Sequence, residues 1–493
     1  MKKIYLFAAT GLMMLSSCNM DINENPNYPS SSDITPSLQF PAVVNAVAAT
    51  TGDQMFNYAG FFVQYWDQMP EANQYNDLAE LNIDETKDII NRSYRTLYAG
   101  ALQDIKDIQS KTTNTADLFA CQVMRTQTFQ ILVDNTDKTP YTEALMASEN
   151  STPAYDDGKT VYEGVLAELD AAQAALQGSD LMTMTDPMLG KSISQWIGYA
   201  NALRLRMYLR LIDGNVNVSE YTSKVKALVA ANNFFTGDVA WDVYQDIDGQ
   251  YNPWYASVFS LANNHCAGYA LVEYYKAMED PRLSYAYNKR SSDNTYVGQL
   301  PGSKQEPNVY SDASSRKNSA VSAINYGVTH AMPVYLFTQS ELQFLIAEVE
   351  LRFNNDAAAA KAAYEAGVKA DFASRGVSGA DAFLKGSASF DNAANQLELI
   401  YLQKWAALFL KDHMEAWSEV RRTDVPKLSS MTAAQVAANP ASYTPGQLIA
   451  PGRNYFGNGN IAMSIPYSSD SRKYNVNTPT ARAITDKVFW DVK

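Results

Sequence analysis

The chain has 493 residues and a formal net charge of −14, from 39 Lys and Arg against 53 Asp and Glu. That balance excludes a nucleic-acid partner, because neutralising a phosphate backbone takes clustered cations. With 46% hydrophobic and 12% aromatic residues, the chain can bury a large core and still keep rings for its surface.

The N-terminus carries the first signal. Lys2 and Lys3 precede an apolar run from Ile4 to Leu15, and Ser16 and Ser17 lead directly into Cys18. A charged start, an apolar stretch too short to span a bilayer comfortably and small residues at the end predict a signal peptide over 1–17. The cysteine after Leu15-Ser16-Ser17 resembles a lipobox, so Cys18 is expected to be acylated and to become the lipid anchor. Several acyl chains, at about 0.8 kcal/mol per buried CH2, hold a soluble domain stably on a membrane. Residues 18–40 turn to Asn, Ser and Asp with Pro26, Pro29 and Pro36, a composition that disfavours helix and reads as a flexible tether. No later segment is apolar and long enough to cross a membrane, and no linker divides the remainder. Residues 41–493 are therefore expected to form one domain outside the cytoplasm. Its two thiols, Cys121 and Cys266, read as buried apolar residues in preference to a disulfide, although spacing alone does not decide pairing.

From Pro41 onward helical periodicity dominates. An Ala and Val run over 43–49 opens it, and a long amphipathic stretch over 85–110 follows. There Ile89, Leu97, Leu102, Ile105 and Ile108 share a face interrupted only by Gly100. Further helices are predicted over 116–135, 159–176, 194–213, 219–231, 269–278, 340–352, 357–372, 392–410 and 413–422. The pair over 341–372 is similar to a tetratricopeptide hairpin, with Asn354-Asn355-Asp356 as turn and cap and with Ala347, Ala360 and Ala363 small enough for close approach. The stretches 236–260, 284–334 and 440–477 carry Gly, Pro, Asn and Tyr without periodicity, so they are predicted as long loops of the kind that holds function. The expected fold class is mainly α.

Catalytic chemistry is not visible. His265, His330 and His413 are the whole supply of imidazoles, and adjacent His265 and Cys266 would point apart in a regular element. Nucleophile-elbow, phosphate-loop, dinucleotide and zinc-helix patterns are missing. Asp246, Asp248 and Gly249 invite comparison with a calcium loop, but the register puts Tyr244 and Tyr255 at the first and twelfth positions, and neither ligates calcium. No catalytic residue, metal ligand or cofactor is expected; the protein reads as a non-enzyme. Binding is better supported, because flat side chains grip the C–H face of sugars or aromatic peptide groups in water. The rings chosen on that ground are Trp66 and Tyr75 in one polar loop, Trp254 and Tyr255 in a second and Tyr296 in a third.

Several segments together resemble the SusD/RagB-like outer-membrane lipoproteins, in particular the branch described as starch-binding associating with outer membrane. They run from Asn25-Pro26-Asn27 through Pro140-Tyr141-Thr142-Glu143-Ala144-Leu145, Ala202-Leu203-Arg204-Leu205-Arg206 and Asp280-Pro281-Arg282-Leu283. Glu341-Leu342-Gln343-Phe344 with Ala347-Glu348, Gln403-Lys404-Trp405, Glu415-Ala416-Trp417, Arg421-Arg422 and Ile465-Pro466-Tyr467 continue the series. The residues themselves read as structural, with Arg421 and Arg422 placed to offset a helix dipole at its C-terminus. The resemblance implies a helical fold with tetratricopeptide-like hairpins, a cell-surface position on the outer membrane and delivery of ligand to a SusC-like TonB-dependent transporter. A glycan is the ligand it implies most often, with a peptide-capturing role as the alternative. The family's ligand residues lie in variable loops, so none is carried over.

Overall fold

The computed structural model describes residues 34–70, 72–146, 149–261, 264–302, 320–457 and 459–493. The expected signal peptide, Cys18 and the tether up to residue 33 lie outside them.

The first helix, α1, spans Pro36–Thr51 and so begins inside the segment expected to be tether. Pro36 does not prevent it. At the first helical position its missing N–H would be unpaired in any case, and its fixed φ suits the helix. Phe40, Val43, Val44 and Val47 are buried. A helix the sequence did not suggest follows, α2 over Gln54–Phe62. The long amphipathic stretch becomes α3 over 91–111, in which Asn91–Arg95 passes through a π turn, Thr96–Leu102, into Gln103–Lys111. Gly100 sits in that π turn, where a Cβ would stand 3.3 Å from Ala46 of α1.

Helix α4, Thr115–Thr136, is buried on nearly every side. Its polar residues bond back along their own helix: Thr128 Oγ1 donates to Met124 O at 2.7 Å and Asn135 Nδ2 to Ile131 O at 2.7 Å. Then come α5 (Gly158–Ala174), α6 (Ile193–Asp213), α7 (Val218–Ala231), α8 (Pro253–Leu261) and α9 (Tyr269–Ala277). The hairpin is α10 (Gln339–Val349) and α11 (Ala357–Ser374). Phe344 and Ala347 pack there against Ala360, Ala363 and Tyr364, the close approach expected of its alanines. Asp356 caps α11 by accepting from the amides of Ala358 and Ala359. Helices α12 (Gln396–Leu408) and α13 (His413–Thr423) complete the main framework. Strands are short and paired in twos: β1 (Trp66–Gln68) with β3 (His265–Ala267), β2 (Val239–Trp241) with β4 (Val334–Phe337), and β5 (Lys427–Leu428) with β6 (Gln447–Leu448). The expected loop over 236–260 therefore contains a strand and most of α8, and that over 440–477 contains a short helix, Ser469–Tyr474.

A buried charge network ties the central helices. Arg206 of α6 makes a two-pronged pair with Glu341 of α10 at 2.9 and 2.8 Å. Arg210, one turn on, bonds Asp134 of α4 at 2.7 Å and Glu415 of α13 at 2.5 Å. Arg422 bonds both oxygens of Glu348 at 2.7 and 2.6 Å, both of Glu419 at 2.8 and 2.6 Å, and Asp213 at 2.6 Å. A second knot joins Arg282 to Asp280, Asp371 and Gln403. Arg421 and Arg422 do stand in the last turn of α13, but they are buried; Arg421 bonds the carbonyls of Asp134 and Met463. Carboxylate pairing for Arg422 and carbonyl bonding for Arg421, more than the helix dipole, are their roles. Cys121 and Cys266 are both buried and unpaired with each other. Among the described residues no helix is long and apolar enough to cross a membrane.

Candidate functional site

The aromatic candidates separate into a floor and a rim around the β1–β3 pair. In this antiparallel pair Trp66 faces Ala267, Asp67 faces Cys266 and Gln68 faces His265. Gln68 then ties down the loop that follows. Its Nε2 donates to Ala72 O at 2.7 Å and to Asn76 Oδ1, and its Oε1 accepts from Tyr75 N. Asn264 Nδ2 reaches the same loop, donating to Gln74 Oε1 at 2.8 Å.

Trp66 and Trp254 are the floor, which corrects the expectation that they meet ligand. They are 1% and 0% exposed and stack on each other at 4.7 Å with 6° between their planes. Phe56 abuts both edge-on at 5.7 Å. Burial follows from local structure the sequence did not suggest. Trp254 lies at the start of α8, where buried Asn252 accepts from the amides of Trp254 and Tyr255 and donates its Nδ2 to Met332 O at 2.7 Å. That cap fixes the helix entry and turns Trp254 inward. Tyr255 is also buried, packed against Tyr251 and, at 4.2 Å, against His330. His330 Nδ1 lies 2.7 Å from Asp246 Oδ1, so the loop compared with a calcium site is joined to an imidazole. Among the described residues no group of His, Cys, Asp and Glu could hold a metal ion.

Tyr75 and Tyr296 are the rim, and both are half-buried. Tyr75 leans on His265 at 4.5 Å and Phe61 at 5.5 Å. Tyr296 precedes Val297, whose N–H donates to Ser322 Oγ at 3.1 Å while Ser322 N donates to Val297 O at 2.8 Å. Ala267 N donates to Ser322 O and Gln299 N to Ala267 O, so this segment extends the β1–β3 pair. Val297 also packs on Met69, Cys266 and Val321. Lys289 Nζ stands 5.7 Å from the Tyr296 ring centre. Tyr75 and Tyr296, more than two hundred residues apart in sequence, are thus each tied to segments around the strand pair, and Tyr75 follows the exposed Asn73 and Gln74. Flat rings beside amides suit stacking on a sugar face with hydrogen bonds to its hydroxyls.

Beneath the rim, Asn57 of α2 organises the floor. Its Oδ1 lies 2.6 Å from His265 Nε2 and accepts from Trp254 Nε1 at 3.4 Å, and its carbonyl accepts from Trp66 Nε1 at 3.2 Å. The sequence offered no sign of it, since a lone Asn in an aromatic helix carries no pattern. Burial pulls the His265 pKa down to about 3. His413, stacked on Phe56 at 3.6 Å, is likewise held well below its ordinary value by burial. Its Nε2 accepts from Leu410 N at 2.9 Å, so Nδ1 carries the proton donated to Phe56 O. Neutral imidazole is the form the fold uses at both positions.

The consequence for pH follows from the unfolded chain binding the extra proton first. A depressed folded pKa contributes stability that is complete above about 6.5 and is lost as pH falls toward the folded value. Asp412, buried and pushed up to about 6, opposes this in part. The expected result is a difference: on lowering pH from about 7 to about 5, urea-unfolding midpoints fall more steeply for wild type than for His265→Phe. Parallel slopes would show that His265 is not held neutral.

A family model described as starch-binding associating with outer membrane matches residues 26–445. No curated protein matches. Among solved structures, a chitin-binding SusD homolog from Flavobacterium johnsoniae is 22% identical, covers 93% of this chain and 98% of its own, and superposes with a TM-score of 0.70. A SusD homolog from Bacteroides fragilis is 17% identical with a TM-score of 0.73, covering 93% of this chain and 100% of its own. A SusD/RagB family protein from Bacteroides thetaiotaomicron is 19% identical with a TM-score of 0.71, covering 93% of this chain and 99% of its own. These likenesses show the fold.

Proposed function

The chain belongs to the SusD-like family described as starch-binding associating with outer membrane, and from that membership we propose that it is a glycan-binding, non-catalytic protein of the outer-membrane surface. In this reading residues 1–17 are removed, Cys18 carries the lipid, and the helical domain passes its glycan to a SusC-like TonB-dependent transporter. The observation that carries it is the family match over 26–445, nearly the whole domain. The chitin-binding homolog named above lends support to a polysaccharide as the ligand class. The peptide-capturing alternative draws no support from the family description or from the structures this chain resembles.

Within this reading the ligand meets the rim, Tyr75 and Tyr296, with Asn73 and Gln74 supplying hydrogen bonds. Glu341, Glu348 and Asp213 are engaged by Arg206, Arg352 and Arg422 and are not presented to a cleft. Each stacked ring contributes on the order of 1 kcal/mol, so Tyr75→Ala and Tyr296→Ala are each expected to weaken glycan binding several-fold. Affinity electrophoresis through gels containing starch, soluble chitin derivatives and other polysaccharides reads this directly. Migration unaffected by every polysaccharide would sink the glycan reading; retardation equal in wild type and both variants would move the ligand off this rim.

A further inference from the structure

An open cavity of about 250 Å³ is lined by four tyrosines, Tyr94, Tyr98, Tyr155 and Tyr474, together with Pro140 and Asp470. None of these residues belongs to the floor or rim described above. Tyr94 and Tyr98 are one turn apart on α3, their ring centres 4.7 Å from each other. Their hydroxyls are already engaged. Tyr98 OH lies 2.6 Å from Thr139 Oγ1 and donates to Pro140 O at 2.5 Å, and Tyr94 OH lies 3.2 Å from Thr139 Oγ1 and 3.5 Å from Tyr155 OH. With the polar ends tied up, these rings offer carbon surface to the cavity.

The lip is different. Tyr474 ends the short helix Ser469–Tyr474 and is 65% exposed, with Lys473 Nζ 5.0 Å from its ring centre. The support is firm: Ser469 N bonds Asp88 Oδ1 at 3.0 Å, and Asp470 accepts from Asn91 Nδ2 at 3.1 Å. Asp470 also pairs with Arg95 at 3.5 Å, both side chains remaining about half exposed or more. Carbon faces beside a paired carboxylate and guanidinium make a place for a ligand with an apolar face and a rim of hydroxyls. The opposite charges of Asp470 and Arg95 offset each other, which favours a neutral ligand over an anionic one. The volume is below the roughly 300–1,000 Å³ of sites for larger small molecules, and that admits a single ring.

We propose that this cavity is a second carbohydrate subsite, taking one neutral pyranose ring whose C–H face meets the tyrosines and whose hydroxyls reach Asp470 and Arg95. The inference rests on the glycan-binding reading of the chain, yet its lip lies at 470–474, beyond residue 445 where the family match ends. Two separate sites would let one polysaccharide chain be held at two points, raising retention without a deep pocket.

Saturation-transfer NMR on the purified full chain tests it, using the methyl glycosides of glucose, N-acetylglucosamine, mannose and galactose as probes, with p-cresol as an aromatic, non-sugar control. Transfer to the ring protons of at least one sugar is expected. It should fall about fivefold in Tyr474→Ala, the effect of one stacking contact, and persist in Tyr474→Phe and in Tyr75→Ala. No transfer to any of the sugars, or transfer unchanged in Tyr474→Ala, overturns the subsite. So does transfer to p-cresol alone, which would make the cavity a receptor for aromatic side chains. Transfer lost in Tyr75→Ala but not in Tyr474→Ala places the sugar at the rim and also overturns it. Gel retardation by polysaccharide scores the rim separately, so the proposed function can stand while the subsite fails.

Discussion

Replacing Arg422 by methionine is expected to destabilise the protein by about 3–5 kcal/mol, the typical cost of removing one partner from a buried ion network. Arg422 is 1% exposed and satisfies three carboxylates at once, Glu348, Glu419 and Asp213. Methionine fills similar volume but leaves those carboxylates desolvated and facing one another. Arg352 still reaches Glu348 and Asp213, and Lys404 lies 3.0 Å from Glu419, so the network is weakened without being dissolved. The measurement is the urea midpoint of helical circular dichroism, with Lys224→Ala as control. Lys224 pairs with Glu220 on the exposed side of α7, where an ion pair contributes roughly 0.3–0.5 kcal/mol. A shift for Arg422→Met no larger than that of the control would refute the assignment of this network as a tie between the central helices.

Trp66→Ala is the second large effect. The ring is in contact across its face with Trp254 and edge-on with Phe56, and it lies so close over α2 that a Cβ on Gly60 would come within 2.3 Å of it. Truncating a buried tryptophan costs about 3–5 kcal/mol. The rim above it is tied to the same strand through Gln68, so ligand affinity should fall along with stability. That signature differs from Tyr75→Ala, whose half-buried ring is expected to cost less stability than Trp66 while lowering affinity. Unfolding midpoints and glycan retardation measured on both variants separate floor from rim. Equal stability of Trp66→Ala and wild type would return Trp66 to the list of ligand contacts.

How far the sequence was legible depends on what kind of signal each residue carries. Helices α4 to α7 and α10 to α13 stood out because apolar spacing near 3.6 residues, the turn and cap at Asn354-Asn355-Asp356, and alanines in the hairpin are local features. The same logic missed α8, because Pro253 reads as a loop residue when the Asn252 cap that makes it a first-turn proline is not foreseen. The arginines and glutamates of the resembling segments were visible, but their meeting was not: Arg206, Glu341, Lys404 and Glu415 come from four helices and approach one another only in the folded core.

The binding face shows the same division. Sequence chose five rings on composition, since Trp and Tyr among Asn, Gln and Asp suit a sugar. The fold buried Trp66, Trp254 and Tyr255 and left Tyr75 and Tyr296 half-buried. It also assembled Tyr94, Tyr98, Tyr155 and Tyr474 around a cavity that no stretch of sequence announces. What the sequence by itself determined was the mainly helical class, the hairpin and the family, all written in local periodicity and in segments read one at a time. Which aromatic rings face solvent was decided only by tertiary structure, because a ring's burial depends on partners such as Phe56 and Asn57 that lie far from it along the chain.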